Sequence, residues 1–266
     1  MVSRKTFQEL EISDAFLFAS VMEDEAICKG FLRMVLSETV DRVWIRTERV
    51  IGLDRSCRSV RLDVFVDNCG DSVYDIEMQG QKRKNLYKRS RFYQSQIDVA
   101  DLKPRGDFTE LRKSYVIFIS LFDPFGKGKY RYTFEERCLE GDFPLGDETR
   151  KIFLNTEGKN PKEVPEELVL FLDYVKNAAV VRERVSEDSF VKLVDTRVQA
   201  LKDSGGLEAE YMLFGEILDD EREEGRLETK REFAALVSTL VREGKADLLP
   251  RLEEPDFLDS MLKQYR

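Results

Sequence analysis

The sequence predicts an α/β protein in which helices flank a mixed central sheet and a helical tail follows. Three observations predict it. Residues 60–79, VRLDVFVDNCGDSVYDIEMQ, alternate apolar and polar side chains on either side of a turn at Asn68-Cys69-Gly70-Asp71, the pattern of an antiparallel strand pair. Residues 114–122, SYVIFISLF, are almost continuously apolar, as in a strand buried on both faces. Between them lies a helical stretch over about residues 85–101, long enough for a crossover. The strands it joins are therefore expected to run parallel, with the apolar one at the sheet centre.

The strand pair fixes its own register. Folded about Gly70, positions summing to 140 lie opposite each other: Asp63 faces Glu77, Phe65 faces Asp75, and Arg61 faces Gln79. Leu62, Val64 and Val66 then share one face with Tyr74, Ile76 and Met78, and the acids share the other. Opposed like charges about 5 Å apart destabilise a sheet. A divalent cation would convert that repulsion into ligation, because hard ions take carboxylate and carbonyl oxygens. The other reading of the same residues is a solvated outer face on which Arg61 and nearby lysines balance the acids.

The elements before the pair read as two helices and a strand. Ser13 is positioned to cap DAFLFASVM, which places Asp14 in a first helical turn, where its charge suits the helix dipole. DEAICKGFLRMVLSE carries Ile27, Phe31, Met34 and Val35 at helical spacing. VWIRTERVI, residues 43–51, reads as a strand.

After the pair, six of the ten residues from Lys82 to Arg91 are Lys or Arg. The helix they enter places Arg89, Tyr93 and Gln96 on one face, and Leu86, Tyr93, Ile97 and Ala100 on an overlapping apolar stripe. A basic helix with aromatics just beyond paired acids is what an enzyme acting on a phosphate backbone needs. A solvated charged helix face would read the same way. Beyond the apolar strand, YRYTFEERCL and TRKIFLNTEG form a second strand pair after a DPFGKGK turn. Pro161 and Pro165 then open a helix, EELVLFLDYVKN.

Composition bounds the chemistry. The 266 residues include no histidine, which excludes histidine triads and histidine metal ligands. Acid–base work would fall to carboxylates, Lys, Tyr, Cys or metal-bound water. Cys28, Cys57, Cys69 and Cys138 lack CxxC spacing and read as reduced thiols. No apolar run approaches the ~20 residues of a membrane span, and MVSRKTFQELEISD has no apolar signal-peptide core, so a cytoplasmic protein without membrane contact is expected.

Net charge is −9, distributed unevenly. Residues 1–180 hold 29 bases and 31 acids, and residues 181–266 hold 14 bases and 21 acids. The nearly neutral body leaves nucleic acid open as a partner. The composition divides the chain into a body, 1–180, and a charged helical C-terminal region, 181–266, with a break at Gly205-Gly206. The tail could dock on the body, self-associate into a homo-oligomer, or do neither.

ISDAFLFASVMED, VRLDVFVDN, YDIEMQ, RKNLYKRSRFYQ, KSYVIFISLFDPFGKGKYRYTFEERC, KIFLNTEG and LVLFLDYVKN occur in this order over about residues 10–178. Together they resemble the PD-(D/E)XK nuclease family transposases, the recombination-promoting nucleases. The resemblance implies a restriction-endonuclease-like core and a Mg²⁺-dependent endonuclease, with Mn²⁺ as a substitute, that hydrolyses DNA in a setting of DNA recombination. It implies that Asp63, Glu77 and the Met78 carbonyl ligate the metal, and that Asp14 matches the family's helix-one acid. The motif usually ends in Lys; Gln79 stands there instead. Gln79 can orient water or contact the scissile phosphate, but cannot act as a base.

Arg89 and Tyr93 match a KRSR-x-Y block, where they contact phosphate, position Glu77, or brace the helix on the sheet. Lys82, Arg83, Lys84, Lys88, Arg89, Arg91 and Tyr93 are the candidate nucleic-acid contacts. Two other readings accompany the DNA endonuclease: a nucleic-acid-binding or assembly protein that kept the fold and lost the chemistry, supported by Gln79, and an RNA nuclease.

Overall fold

A computed structural model describes residues 5–38, 40, 42–51, 60–68, 71–82 and 85–265. The chain divides into two compact units, Met1–Gly205 and Gly206–Arg266.

The first unit opens with α1, Ala15–Met22, in which Leu17, Phe18, Val21 and Met22 are all buried. An all-round apolar helix of this kind has no solvent face to keep. Its N-cap is Asp14, one residue later than the cap expected at Ser13, so Asp14 precedes the first turn. The second helix, α2 (Glu25–Leu36), is capped by Asp24, whose carboxylate accepts the N–H groups of Ala26 and Ile27 at 3.0 and 3.2 Å. Its Ile27, Phe31, Met34 and Val35 are buried on the predicted stripe, each contributing about 1.5–3 kcal/mol of burial.

Next come β1 (Trp44–Ile51), β2 (Val60–Asn68) and β3 (Ser72–Gln79), then α3 (Leu86–Asp101) and β4 (Lys113–Ser120). The unit continues with β5 (Arg131–Phe134), β6 (Thr149–Asn155), α4 (Glu166–Lys176), α5 (Ala178–Arg182) and α6 (Phe190–Asp203). The six strands form one sheet in the order β1-β2-β3-β4-β6-β5. Both β1 and β3 pair antiparallel with β2, while β4 pairs parallel with β3 and with β6. The crossover expected from α3 is thus present. The second strand pair is also present, with β5 antiparallel to β6 at the sheet edge.

The β2–β3 register is the one the arithmetic predicts: Val64 opposes Ile76, Phe65 opposes Asp75, and Val66 opposes Tyr74. The recorded ladder stops at Val64–Ile76. The side chains of Arg61 and Leu62, together with Cys57, Cys69, Gly70, Arg83 and Lys84, lie outside the described residues. Cys28 and Cys138 are free thiols.

Every residue of β3 is buried, so the acid-bearing face is not a solvated surface. It is covered by α3, whose Leu86 and Ile97 join Phe65, Val73, Val116, Phe118 and Phe153 in one apolar cluster. Tyr93 packs against that cluster as predicted, but Ala100 is exposed. Ser90 and Gln94 take the buried side of α3 because polar partners await them: Ser90 Oγ donates to the Tyr87 carbonyl, and the Gln94 amide donates to Ser114 Oγ.

The compositional change near residue 180 falls inside the first unit, and the compact body extends to Gly205. Its last helix, α6, buries Phe190, Val191, Val194, Val198 and Leu201 against α1, α2 and α4, an apolar stripe diluted in the average by charged neighbours. The second unit holds α7 (Gly206–Arg242) and α8 (Pro255–Gln264). Its own core is Leu236, Leu240, Leu252 and Met261. Among the described residues, no helix is long and apolar enough to cross a membrane.

Candidate active site

Asp14, Asp63, Glu77, Met78, Gln79, Arg89 and Tyr93 line one pocket of about 440 Å³. It opens where β2 and β3 cease to pair. Beyond Val64–Ile76 the two acids span the gap: Asp63 N–H donates to Glu77 Oε1 at 3.1 Å, and Asp63 Oδ2 accepts the Met78 N–H at 3.1 Å. Each carboxylate thus satisfies a backbone donor of the opposite strand, and both are held at the same place.

One cation of α3 completes the arrangement. Arg89 Nη2 donates to Glu77 Oε2 at 3.2 Å and to the Tyr93 hydroxyl at 2.9 Å, while Nη1 donates to Gln79 Oε1 at 2.7 Å. Its guanidinium also lies 5.2 Å from the Tyr93 ring centre and 5.6 Å from that of Phe118. The i, i+4 spacing of Arg89 and Tyr93 brings them together on one helical face. Gln96 falls outside this contact set. The other end of the Gln79 amide donates to the Gln81 carbonyl at 2.6 Å, so the side chain is fixed at both ends.

The electrostatics are severe. Glu77 is 3% exposed, and burial raises its carboxyl well above the usual range, with the charges of Asp63 and Asp75 adding to the shift. Arg89 and the Asp63 N–H pull the other way. Asp75 is wholly buried and likewise raised, first by burial and then by Asp63. Neither of its oxygens has a donor partner, and the Glu77 carboxyl beside it can bond to it only when one of the pair carries a proton. Burial and the charge of Glu77 push the Tyr93 phenol up to about 12, so it stays protonated.

Three neighbouring acids, Asp63, Asp75 and Glu77, the second of them without a donor partner, suit a hard divalent cation by charge and donor type. Among the described residues, no three carboxylate, cysteine or histidine side chains converge tightly enough to enclose an ion unaided. Asp63, Glu77 and the Met78 carbonyl are the pocket oxygens that could serve as donors to such an ion.

The remaining predicted residues divide in two. Asp14 lines the pocket, but its Oδ2 accepts the Glu11 N–H and the Lys5 ammonium, both at 2.8 Å, and makes no bond to the helix it caps. Lys82, Lys88 and Arg91 do not line the pocket; they are exposed, and none is in an ion pair among the described residues. Arg83 and Lys84 lie outside those residues. In the sequence Asp75 stands beside the paired acids with no assigned role, and Phe118 reads only as part of an apolar strand. The alternation of β3 signalled the first, because Asp75 shares a face with Glu77 and Gln79.

A mixed six-stranded sheet between helices, with acids where two neighbouring strands part under a cationic helix, defines an α/β protein of the restriction-endonuclease-like type. The sequence model of the PD-(D/E)XK nuclease family transposases matches residues 15–196, and the chain belongs to that family. No curated protein matches the chain.

Proposed function

We propose that the protein is a metal-dependent endonuclease that hydrolyses DNA phosphodiester bonds in the cytoplasm, using Mg²⁺ or Mn²⁺. The observation that carries this reading is the meeting of Asp63 and Glu77 at one mouth of the hairpin, with the orphaned Asp75 behind them. When bound, the cation would supply Lewis-acid polarisation of a phosphate oxygen and acidify a coordinated water.

The chain's own residues do the rest. Asp63, Glu77 and the Met78 carbonyl would hold the ion. Arg89 fixes the Glu77 carboxylate and offers positive charge at the pocket wall. Gln79 orients water or a phosphate oxygen through its amide, since it cannot take a proton. Lys82, Arg83, Lys84, Lys88 and Arg91 hold the strand through its backbone, which makes binding fall steeply with salt. Asp14 stands at the pocket rim as a further acid.

The test is purified protein on supercoiled plasmid with Mg²⁺ or Mn²⁺, beside Glu77→Ala. Cutting by the wild type and none by the variant is expected; equal cutting by both overturns the reading.

One observation favours a second reading, a nucleic-acid-binding protein without cleavage. The motif's closing position is the uncharged Gln79, and Arg89 already lies against Glu77. That protein would bind DNA equally with and without EDTA, and would cut neither DNA nor RNA.

A further inference from the structure

The chain leaves β4 at Leu121, whose N–H donates to the Gln79 carbonyl at 3.2 Å, so the following loop starts at the pocket wall. That loop, Asp123-Pro124-Phe125-Gly126-Lys127-Gly128-Lys129, is gathered around one carboxylate. Asp123 Oδ1 accepts the N–H groups of Phe125 and Gly126 at 3.0 and 2.9 Å and the Tyr132 hydroxyl at 2.8 Å. Oδ2 accepts the Gly128 N–H at 2.7 Å. The Tyr132 oxygen in turn accepts the N–H groups of Lys127 and Lys129 at 3.2 and 3.1 Å. Gly126 and Gly128 make the fold-back possible at φ +67° and +69°, where side chains are strained.

The loop is also pinned to the first turn of α3. The Tyr87 hydroxyl donates to the Pro124 carbonyl, and the Tyr87 ring stacks on Phe125 with centres 5.1 Å apart. Lys159 joins from the β6 side, donating its N–H to the Gly128 carbonyl at 2.8 Å. These anchors leave Lys127 and Lys159 exposed, and neither is in an ion pair among the described residues. Lys129 is different, because it pairs with Glu163 at 2.6 Å.

We infer that this loop extends the phosphate-binding surface: Lys127 and Lys159 take backbone phosphates of the polynucleotide whose scissile bond enters the acidic pocket. The inference rests on the nuclease reading and deepens it. The two lysines stand on separate segments whose backbones are hydrogen-bonded to each other, beside the first turn of α3, the helix that also carries the exposed Lys88 and Arg91. Cations outside any ion pair, carried on a backbone held by hydrogen bonds, suit a chain of phosphates, because little backbone ordering entropy is lost when it docks.

The test is fluorescence anisotropy of a 30-bp DNA duplex and the matching RNA duplex, in EDTA, across about 50–200 mM salt. The full-length wild type is compared with Lys127→Glu/Lys159→Glu, with Lys88→Glu/Arg91→Glu, and with a charge control, Lys103→Glu/Lys176→Glu. The loop variant is expected to bind at least about tenfold more weakly, with a log–log salt slope shallower by about 2, from ~0.9 per duplex phosphate. The control should match the wild type, and the two duplexes tell whether the surface serves DNA, RNA or both. If the loop variant follows the wild type while the α3 variant weakens, the loop inference is wrong and the nuclease reading stands. If the wild type binds neither duplex, both fall together.

Discussion

Arg89 is bound to Glu77, Nη2 to Oε2 at 3.2 Å, and the same guanidinium reaches Gln79 and Tyr93. It is the cation that offsets three crowded acids. Truncating one partner of a buried pair costs about 3–5 kcal/mol, but the Arg89 side chain keeps 21% of its exposure, which screens part of that. Arg89→Met is therefore expected to lose roughly 2 kcal/mol in a denaturant melt at pH 7 with EDTA. Arg89→Lys should fall between, since it keeps the charge but loses the fork. A variant as stable as the wild type would show that the acids are balanced by another group.

Gln79 occupies the position where the family motif usually has Lys, yet restoring Lys should not help. Its Oε1 accepts from Arg89 Nη1 at 2.7 Å, so a lysine there would set two cations together and strip Arg89 of an acceptor. We expect Gln79→Lys to lower plasmid cutting at least about tenfold, the worth of ~1.4 kcal/mol. A faster variant would mean that the site lacks only a base.

What the sequence made legible follows from period and charge. The β2–β3 register could be read because alternation leaves one solution that buries Val64, Val66, Tyr74 and Ile76 together. The pocket residues could be read because Asp63 and Glu77 follow from that register, and Arg89 and Tyr93 from helical spacing. The burial of the acid face could not. Acids and a run of Lys and Arg are local signals for solvent, whereas the cover over β3 is a tertiary contact of Leu86 and Ile97 with Phe65 and Phe118. The DPFGKGK segment read only as a turn, because an aspartate that collects backbone N–H groups looks like any turn aspartate. The role of α6 was hidden by averaging, since its apolar stripe is interleaved with Lys192, Asp195, Arg197 and Lys202.

That stripe depends on a close approach between helices. A Cβ on Gly30 of α2 would stand 2.7 and 2.9 Å from ring carbons of Phe190. Gly→Ala within a helix ordinarily stabilises by about 1 kcal/mol. Here the clash should reverse the sign, and Gly30→Ala is expected to cost about 1–3 kcal/mol by thermal or urea unfolding. Gly30→Ala with Phe190→Leu should recover part of the loss. A stabilised single variant would show that α6 does not pack on α2 this closely.

Asp123 gives a pH dependence. Burial would raise its carboxyl, but the N–H groups of Gly128, Phe125 and Gly126 and the Tyr132 hydroxyl prevail and hold it below the usual range. The unfolded chain therefore binds the proton more readily. The stabilisation is present above the ordinary carboxylate range, near 3.9, and is lost as pH falls through the lower folded value. Asp123→Asn should cost about 1–2 kcal/mol at pH 7 and converge with the wild type near pH 2. A constant difference between the two across acid pH would remove Asp123 from this role.

Divalent metal should stabilise the fold through the same acids that the proposed reaction would use. An ion bound only by the folded chain adds RT ln(1 + [L]/Kd), about 1.4 kcal/mol at ~10 mM for a dissociation constant of ~1 mM. For a chain of this size that is a rise in Tm of about 3–5 °C. Wild-type protein in MgCl₂ should show it against an EDTA control of equal ionic strength. Asp63→Asn/Glu77→Gln should not, because it removes both charges that make the site a cation site. The readout does not depend on cleavage, so it separates a site that binds metal without turning over from one that binds none. An equal rise in the double variant would place the ion elsewhere, and the two carboxylates would then be explained by structural bonds such as those to Met78 N–H, Asp63 N–H and Arg89.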